Sequence, residues 1–76
     1  VSWTERDVRG ARAEWERSDG NATIRLRELP GGTWVVRLDR LFQAPEGALY
    51  RRETAATREE ASALAAAWRE AYDAEP

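Results

Sequence analysis

The stretches ATIRLREL (Ala22–Leu29) and TWVVRLDR (Thr33–Arg40) alternate apolar and polar residues with a period of two, the pattern of strands that bury one face. Between them, Pro30-Gly31-Gly32 reads as a three-residue hairpin loop ending in a glycine that accepts positive φ. That loop sets Leu26 against Val36 and Ile24 against Leu38. Upstream, a two-residue turn at Asp19-Gly20 sets Trp15 against Ile24 and Ala13 against Leu26, and puts Glu14 opposite Arg25 on the other face. Trp34, Val36, Leu38, Ile24, Leu26, Trp15 and Ala13 then share one buried face.

Outward from this centre the reading loosens. Residues 4–17 begin with two alternatives: Thr4, Asp7, Trp3 and Val8 fit a helix N-cap with its staple, or residues from about Ser2 to Val8 form a strand that turns at Arg9-Gly10. The strand is preferred, because a helix would carry Gly10 in its middle and a strand brings Trp3 to Trp15. Downstream, Gln43 to Gly47 is a loop, and Ala48 to Thr54 reads as another strand whose register stays open. Leu49 and Tyr50 both suit the inward side, and a bulge near Arg51-Arg52 accommodates either.

Thr57 followed by Glu60 forms a capping box, and Ala61, Leu64, Ala65, Trp68, Ala71 and Tyr72 recur at helical spacing. Arg58, Glu59, Ser62, Arg69, Glu70 and Asp73 form the wet side of this helix. The expected fold is α+β: residues 1–76 as one small domain, an antiparallel meander of four or five strands with one C-terminal helix packed on one face. The four Trp are read as core.

Composition narrows function mostly by exclusion. The chain has neither His nor Cys, which removes the commonest general base and metal ligand, and with them thiolate sites and disulfides. No carboxylates converge: Glu59 and Glu60 are adjacent on a helix and point apart. No glycine-rich phosphate loop or calcium loop is present. The expectation is a protein without enzymatic activity, cofactor, metal or small-molecule substrate. No apolar run spans a membrane and the N-terminus lacks the segments of a signal peptide, so the expected compartment is the cytoplasm.

All 12 basic residues are Arg, and the formal net charge is −2. A GC-rich genome accounts for Arg in place of Lys, and a nucleic-acid domain ordinarily carries a basic excess. On the face away from the helix, alternation places Arg25, Arg27, Arg37 and in addition Arg12, with Thr23, Glu14, Glu16 and Asp39 among them. Read plainly, this is a solvated ion-pair ladder. Val35 and Leu41 are apolar on the outward parity of their strand, which hints at a partly covered face.

Two resemblances bear on this. GGTWVVRL and YRRETAATREEA resemble, over about half the chain, the N-terminal arm-binding domains of phage-type integrases, which implies a sheet laid into a DNA groove. The interleaved acids lower the potential of such a face, and exposed aromatics for base stacking are not evident. WTERD, EWERSDGNATIRLRE, WVVRLDRLFQAPEGALYRRE and TREEASALAAAWRE resemble, over nearly the whole chain, a group of short uncharacterised haloarchaeal proteins. That resemblance implies a cytoplasm of molar salt, which suppresses binding that rests on phosphate charge, and no assigned activity. The expectation is a protein-interaction or structural domain, with another protein or a second copy of the chain as partner. The alternative is a nucleic-acid-binding domain. In either case the expected surface is Arg25, Arg27, Arg37, Val35 and Leu41.

Overall fold

Five antiparallel strands lie in chain order across one sheet, followed by a helix: β1 (Trp3–Arg9), β2 (Arg12–Arg17), β3 (Ala22–Glu28), β4 (Trp34–Arg40), β5 (Leu49–Ala55) and α1 (Arg58–Ala71). The computed structural model describes residues 3–9, 12–44 and 47–72. This is the α+β meander expected from the sequence, with five strands. Short connections leave consecutive strands no other arrangement than antiparallel neighbours.

The central registers follow the hydrophobic pattern. Trp15 faces Ile24 and Ala13 faces Leu26, while Leu26 faces Val36 and Ile24 faces Leu38. The first turn, however, is built differently from the expected two-residue form. A type I′ turn would force Asp19 to positive φ, and no non-glycine residue takes positive φ here. Instead the Gly20 N–H donates to the Arg17 carbonyl at 2.8 Å, and Gly20 alone takes the left-handed conformation, with φ of 76°. The second loop closes as expected, with the Leu29 N–H donating to the Thr33 carbonyl at 2.7 Å. Both Gly31 and Gly32 have positive φ, and Pro30 before them presets the first turn position.

At the N-terminus the strand alternative holds. β1 pairs with β2 from Trp3↔Arg17 to Arg9↔Arg12, with an irregularity between Glu5 and Asp7, and Trp3 and Trp15 both pack against the core. Ser2 and Gly10, the expected strand start and turn residue, lie outside the described residues. The strand after the loop is regular: β4 and β5 pair residue for residue from Trp34↔Ala55 to Arg40↔Leu49, so the bulge considered near Arg51-Arg52 does not occur. Matched seven-residue strands need no extra residue. The phase set by β4 turns Leu49 to the core and leaves Tyr50 56% exposed.

Helix α1 opens on Thr57 as the sequence indicates, its Oγ1 accepting from the Glu60 N–H at 3.2 Å. Glu60 reciprocates one residue early, accepting from the Ala56 N–H at 3.1 Å. Ala61, Ala65 and Trp68 are buried against Ile24, Leu26, Trp34, Val36 and Leu38. Two positions depart from the expected faces. Ala71 is exposed, because the helix is ending and Tyr72 serves as its C-cap. Arg69, expected on the wet side, stacks its guanidinium 4.3 Å from the Trp15 ring centroid. Asp73 lies outside the described residues. Among the described residues no helix is long and apolar enough to cross a membrane.

Inward parity along β2 follows Ala13 and Trp15 with Arg17, whose side chain is fully buried. Its Nε donates to Asp19 Oδ1 at 2.9 Å, and its guanidinium donates to the Tyr72 carbonyl at 2.8 Å. One cation thus joins the β2–β3 turn to the negative end of the helix dipole. The hydrogen bond from Arg17, outweighing the opposing effect of burial, holds the Asp19 carboxyl below its ordinary value. A carboxylate depressed in the folded state stabilises fully above its unfolded pKa and loses that contribution as pH falls through the folded value. Urea midpoints are therefore expected to drop as pH falls below roughly 4, and Asp19→Asn should flatten that part of the profile.

Candidate functional site

Helix α1 packs on β3, β4 and β5 from one side, and among the described residues no element lies over the opposite face of the sheet. Register decides what stands beside what on that face. One cross-strand row reads Glu14, Arg25, Arg37, Arg52; a second reads Arg12, Arg27, Val35, Thr54; a third reads Glu16, Thr23, Asp39, Tyr50. Glu14 accepts from Arg25 at 3.1 Å, and Glu16 pairs with Arg6 of β1 at 3.0 Å. The acids at this end of the face are thereby engaged. Among the described residues, Arg27, Arg37 and Arg52 have no carboxylate within ion-pair distance.

Both neighbours expected in the solvated ladder are present, but the ladder is not the whole of the face. Thr23 does lie beside Asp39 and Glu14 beside Arg25, but Arg25, Arg37 and Arg52 are direct neighbours across three strands. Directly opposed like charges destabilise a sheet. Replacing the middle one by a β-branched neutral residue, Arg37→Thr, should leave stability unchanged or raise it by a few tenths of a kcal/mol. A urea unfolding series against wild type measures this.

Between the arginines the face is concave. A shallow depression of about 280 Å³ is lined by Arg12, Glu14, Arg25, Arg27, Val35 and Arg37. Val35, on outward parity as expected, is only 3% exposed although no helix lies over it. Long arginine side chains shield apolar surface with their aliphatic stems while keeping their heads in water.

Of the five surface residues expected from the sequence, Arg25, Arg27, Arg37 and Val35 come together at this depression. Leu41 does not. It lies past the end of β4, tied by its N–H to the Asn21 carbonyl at 2.8 Å, and does not line the depression. The chain turns there, so strand parity no longer governs where Leu41 points.

Arg52 was obscured by the open register of β5, which alone places it beside Arg37. The exposed aromatics not evident in the sequence are present: Phe42 is 86% exposed in the β4–β5 loop, and Tyr50 stands on the uncovered face. The signal for Tyr50 was again the β5 register. By contrast, Trp34 and Trp68 are buried and Trp3 and Trp15 half-buried against the core, so the indoles are core residues.

On the helix side a second set of arginines is engaged in structure. Arg51 donates to the Tyr72 hydroxyl at 2.7 Å and to Glu53 at 2.8 Å, with its guanidinium 4.9 Å from the Trp68 ring centroid. The Tyr72 hydrogen bond and Glu53 hold Arg51 more firmly charged than usual. Arg40 donates to the Gly47 carbonyl at 2.7 Å, bracing the loop. Among the described residues no three acidic side chains gather as a metal site.

Neither a curated protein nor a solved structure matches the chain. A family model does, over residues 1–71, and with that span the chain belongs to a family of unknown function, DUF7543.

Proposed function

We propose that this chain is a non-enzymatic interaction domain that docks an acidic segment of another protein on its uncovered sheet face. One observation carries the reading. Arg25, Arg37 and Arg52 stand side by side across three strands, and among the described residues Arg37 and Arg52 lack an acid partner. Local rules are broken in this way where function asks for it. A carboxylate seated over Val35 between Arg27 and Arg37 would relieve the repulsion and form charge-assisted hydrogen bonds. On the other face α1 covers β3, β4 and β5, the strands that carry Arg25, Arg37 and Arg52.

Nucleic acid is the second reading, favoured by the exposure of Tyr50 on the same face, where a base could stack. Against it stand Glu14, Glu16 and Asp39 within the surface. The molar salt implied by the haloarchaeal resemblance opposes it further. A second copy of the chain is a third candidate for the same face.

The test is fluorescence anisotropy with a labelled oligoglutamate peptide, single-stranded and duplex DNA, and RNA, at about 0.1 M and about 2 M KCl. Wild type is compared with an Arg27→Thr, Arg37→Thr double variant, and light scattering on the same samples reads the oligomeric state. Saturable peptide binding that the variant loses supports the acidic-partner reading. Nucleic-acid binding lost in the same variant, with none to peptide, replaces it by the second reading. A dimer abolished by the variant assigns the face to self-association.

A further inference from the structure

We propose that the acidic partner segment is extended and joins the sheet as a sixth strand along the outer edge of β5. This rests on the reading of the uncovered face as an acid-docking surface and adds a second contact to it: a strand outside β5 lies about 10 Å from β4, so the acid beside Arg52 is a different residue of the partner from the one seated over Val35.

The sheet has two edges, and they differ. On β1 the ladder shifts between Glu5 and Asp7. An irregularity of that kind breaks the even spacing of backbone donors and acceptors that a new strand needs, and it is a common way of blunting an edge. β5 is seven residues long, pairs with β4 throughout without irregularity, and has no other neighbour in the sheet. Among the described residues, no backbone hydrogen bond beyond the β4 ladder engages Leu49–Ala55. Along a strand, alternate residues turn their N–H and C=O away from their one neighbour, so this edge offers a regular row of unpaired groups.

Side chains choose the occupant. Arg52 is the middle residue of β5, points to the uncovered face, and ends the row Arg25, Arg37, Arg52. An added strand places one side chain directly beside it, and a carboxylate there supplies the missing partner. A second copy pairing symmetrically along β5 would set Arg52 against Arg52. Its Arg51 and Glu53 would face each other across the join, but those two are already bonded within each chain at 2.8 Å. In that register the edge disfavours its own copy and favours an acidic strand, attraction and repulsion acting together to set specificity. On the helix side, half-buried Leu49 and Ala55 suit apolar residues near the ends of the segment. Main-chain bonds would supply affinity and the acid opposite Arg52 selectivity, the division of labour typical of strand addition.

The probe is a labelled palindromic peptide, Val-Thr-Gln-Glu-Gln-Thr-Val, which offers the same side chains in either strand direction. Two analogues carry backbone N-methyl groups on alternate residues, one on the odd and one on the even positions. Strand addition needs the N–H groups of only one set, so one analogue should lose binding by about tenfold or more while the other stays within about twofold of the parent. Hydrogen exchange of alternate β5 amides should slow in the complex, and Arg52→Thr should weaken binding while leaving exchange in the free protein unchanged. Equal tolerance of both analogues, or equal loss from both, overturns strand addition. No binding of the heptapeptide by wild type overturns it as well. Oligoglutamate binding to wild type but not to the Arg27→Thr, Arg37→Thr variant, measured alongside, shows in each case whether the face reading survives.

Discussion

Arg17→Ala is expected to lower the unfolding free energy by about 3–5 kcal/mol, a large part of the roughly 4–11 kcal/mol that a domain of this length holds. Arg17 is the largest fully buried side chain, and its guanidinium bonds Asp19 on the hairpin and the Tyr72 carbonyl at the end of α1. Truncation empties that volume, leaves the Asp19 carboxylate without its cation, and strips a partner from a carbonyl at the helix end. Removing both charges together should cost less, because no unpaired partner remains. Arg17→Met with Asp19→Ser is therefore expected to unfold at a higher urea concentration than Arg17→Ala. If the two unfold together, the ion pair is not what holds the turn to the helix.

Trp68→Ala should cost about as much, about 3–5 kcal/mol. Trp68 is 3% exposed and packs α1 onto the sheet with Ala61 and Ala65. Ala61 and Ala65 let the helix approach closely, and the indole is the largest buried side chain that α1 brings to the interface. Without it the helix keeps its cap but little of its docking surface, and Arg51 loses the ring it stacks on. Thermal unfolding followed by far-UV and near-UV circular dichroism would show a lowered midpoint. The exposed Ala67→Ser, one residue earlier, should stay within about 0.5 kcal/mol of wild type.

The sheet was legible where glycines and alternation agree. Gly20, Gly31 and Gly32 fix two loop lengths, each loop length fixes a register, and each register puts Ile24, Leu26, Val36 and Leu38 on one face. The capping residue Thr57 and the spacing of Ala61, Ala65 and Trp68 did the same for α1. Legibility failed at β5 because LYRRET carries apolar and aromatic residues on both parities, and only pairing with β4 separates Leu49 from Tyr50. It failed again at Arg17, where strand parity points a charge inward. The sequence shows no reason for that, because the partner carbonyl at Tyr72 is 55 residues away.

For the surface, the same limits apply. Alternation placed Arg25, Arg27 and Arg37 outward, and that is a property of any half-buried strand. Their meaning lies in what faces them across the strands. Thr23 beside Asp39 and Glu14 beside Arg25 were visible from the hairpin registers, and both look like an ordinary solvated ladder. Arg37 beside Arg52 depends on the β5 register and alters that reading, since a third arginine replaces the acid that would have completed the row.

The most direct test of the docking face is a two-dimensional amide NMR titration of the wild-type protein with oligoglutamate. Perturbations should centre on Arg27, Val35, Arg37 and Arg52, with α1 unmoved. Perturbations confined to the helix or to the loop around Phe42, with those four signals unchanged, would contradict the assignment of the uncovered sheet face as the site that receives an acidic partner.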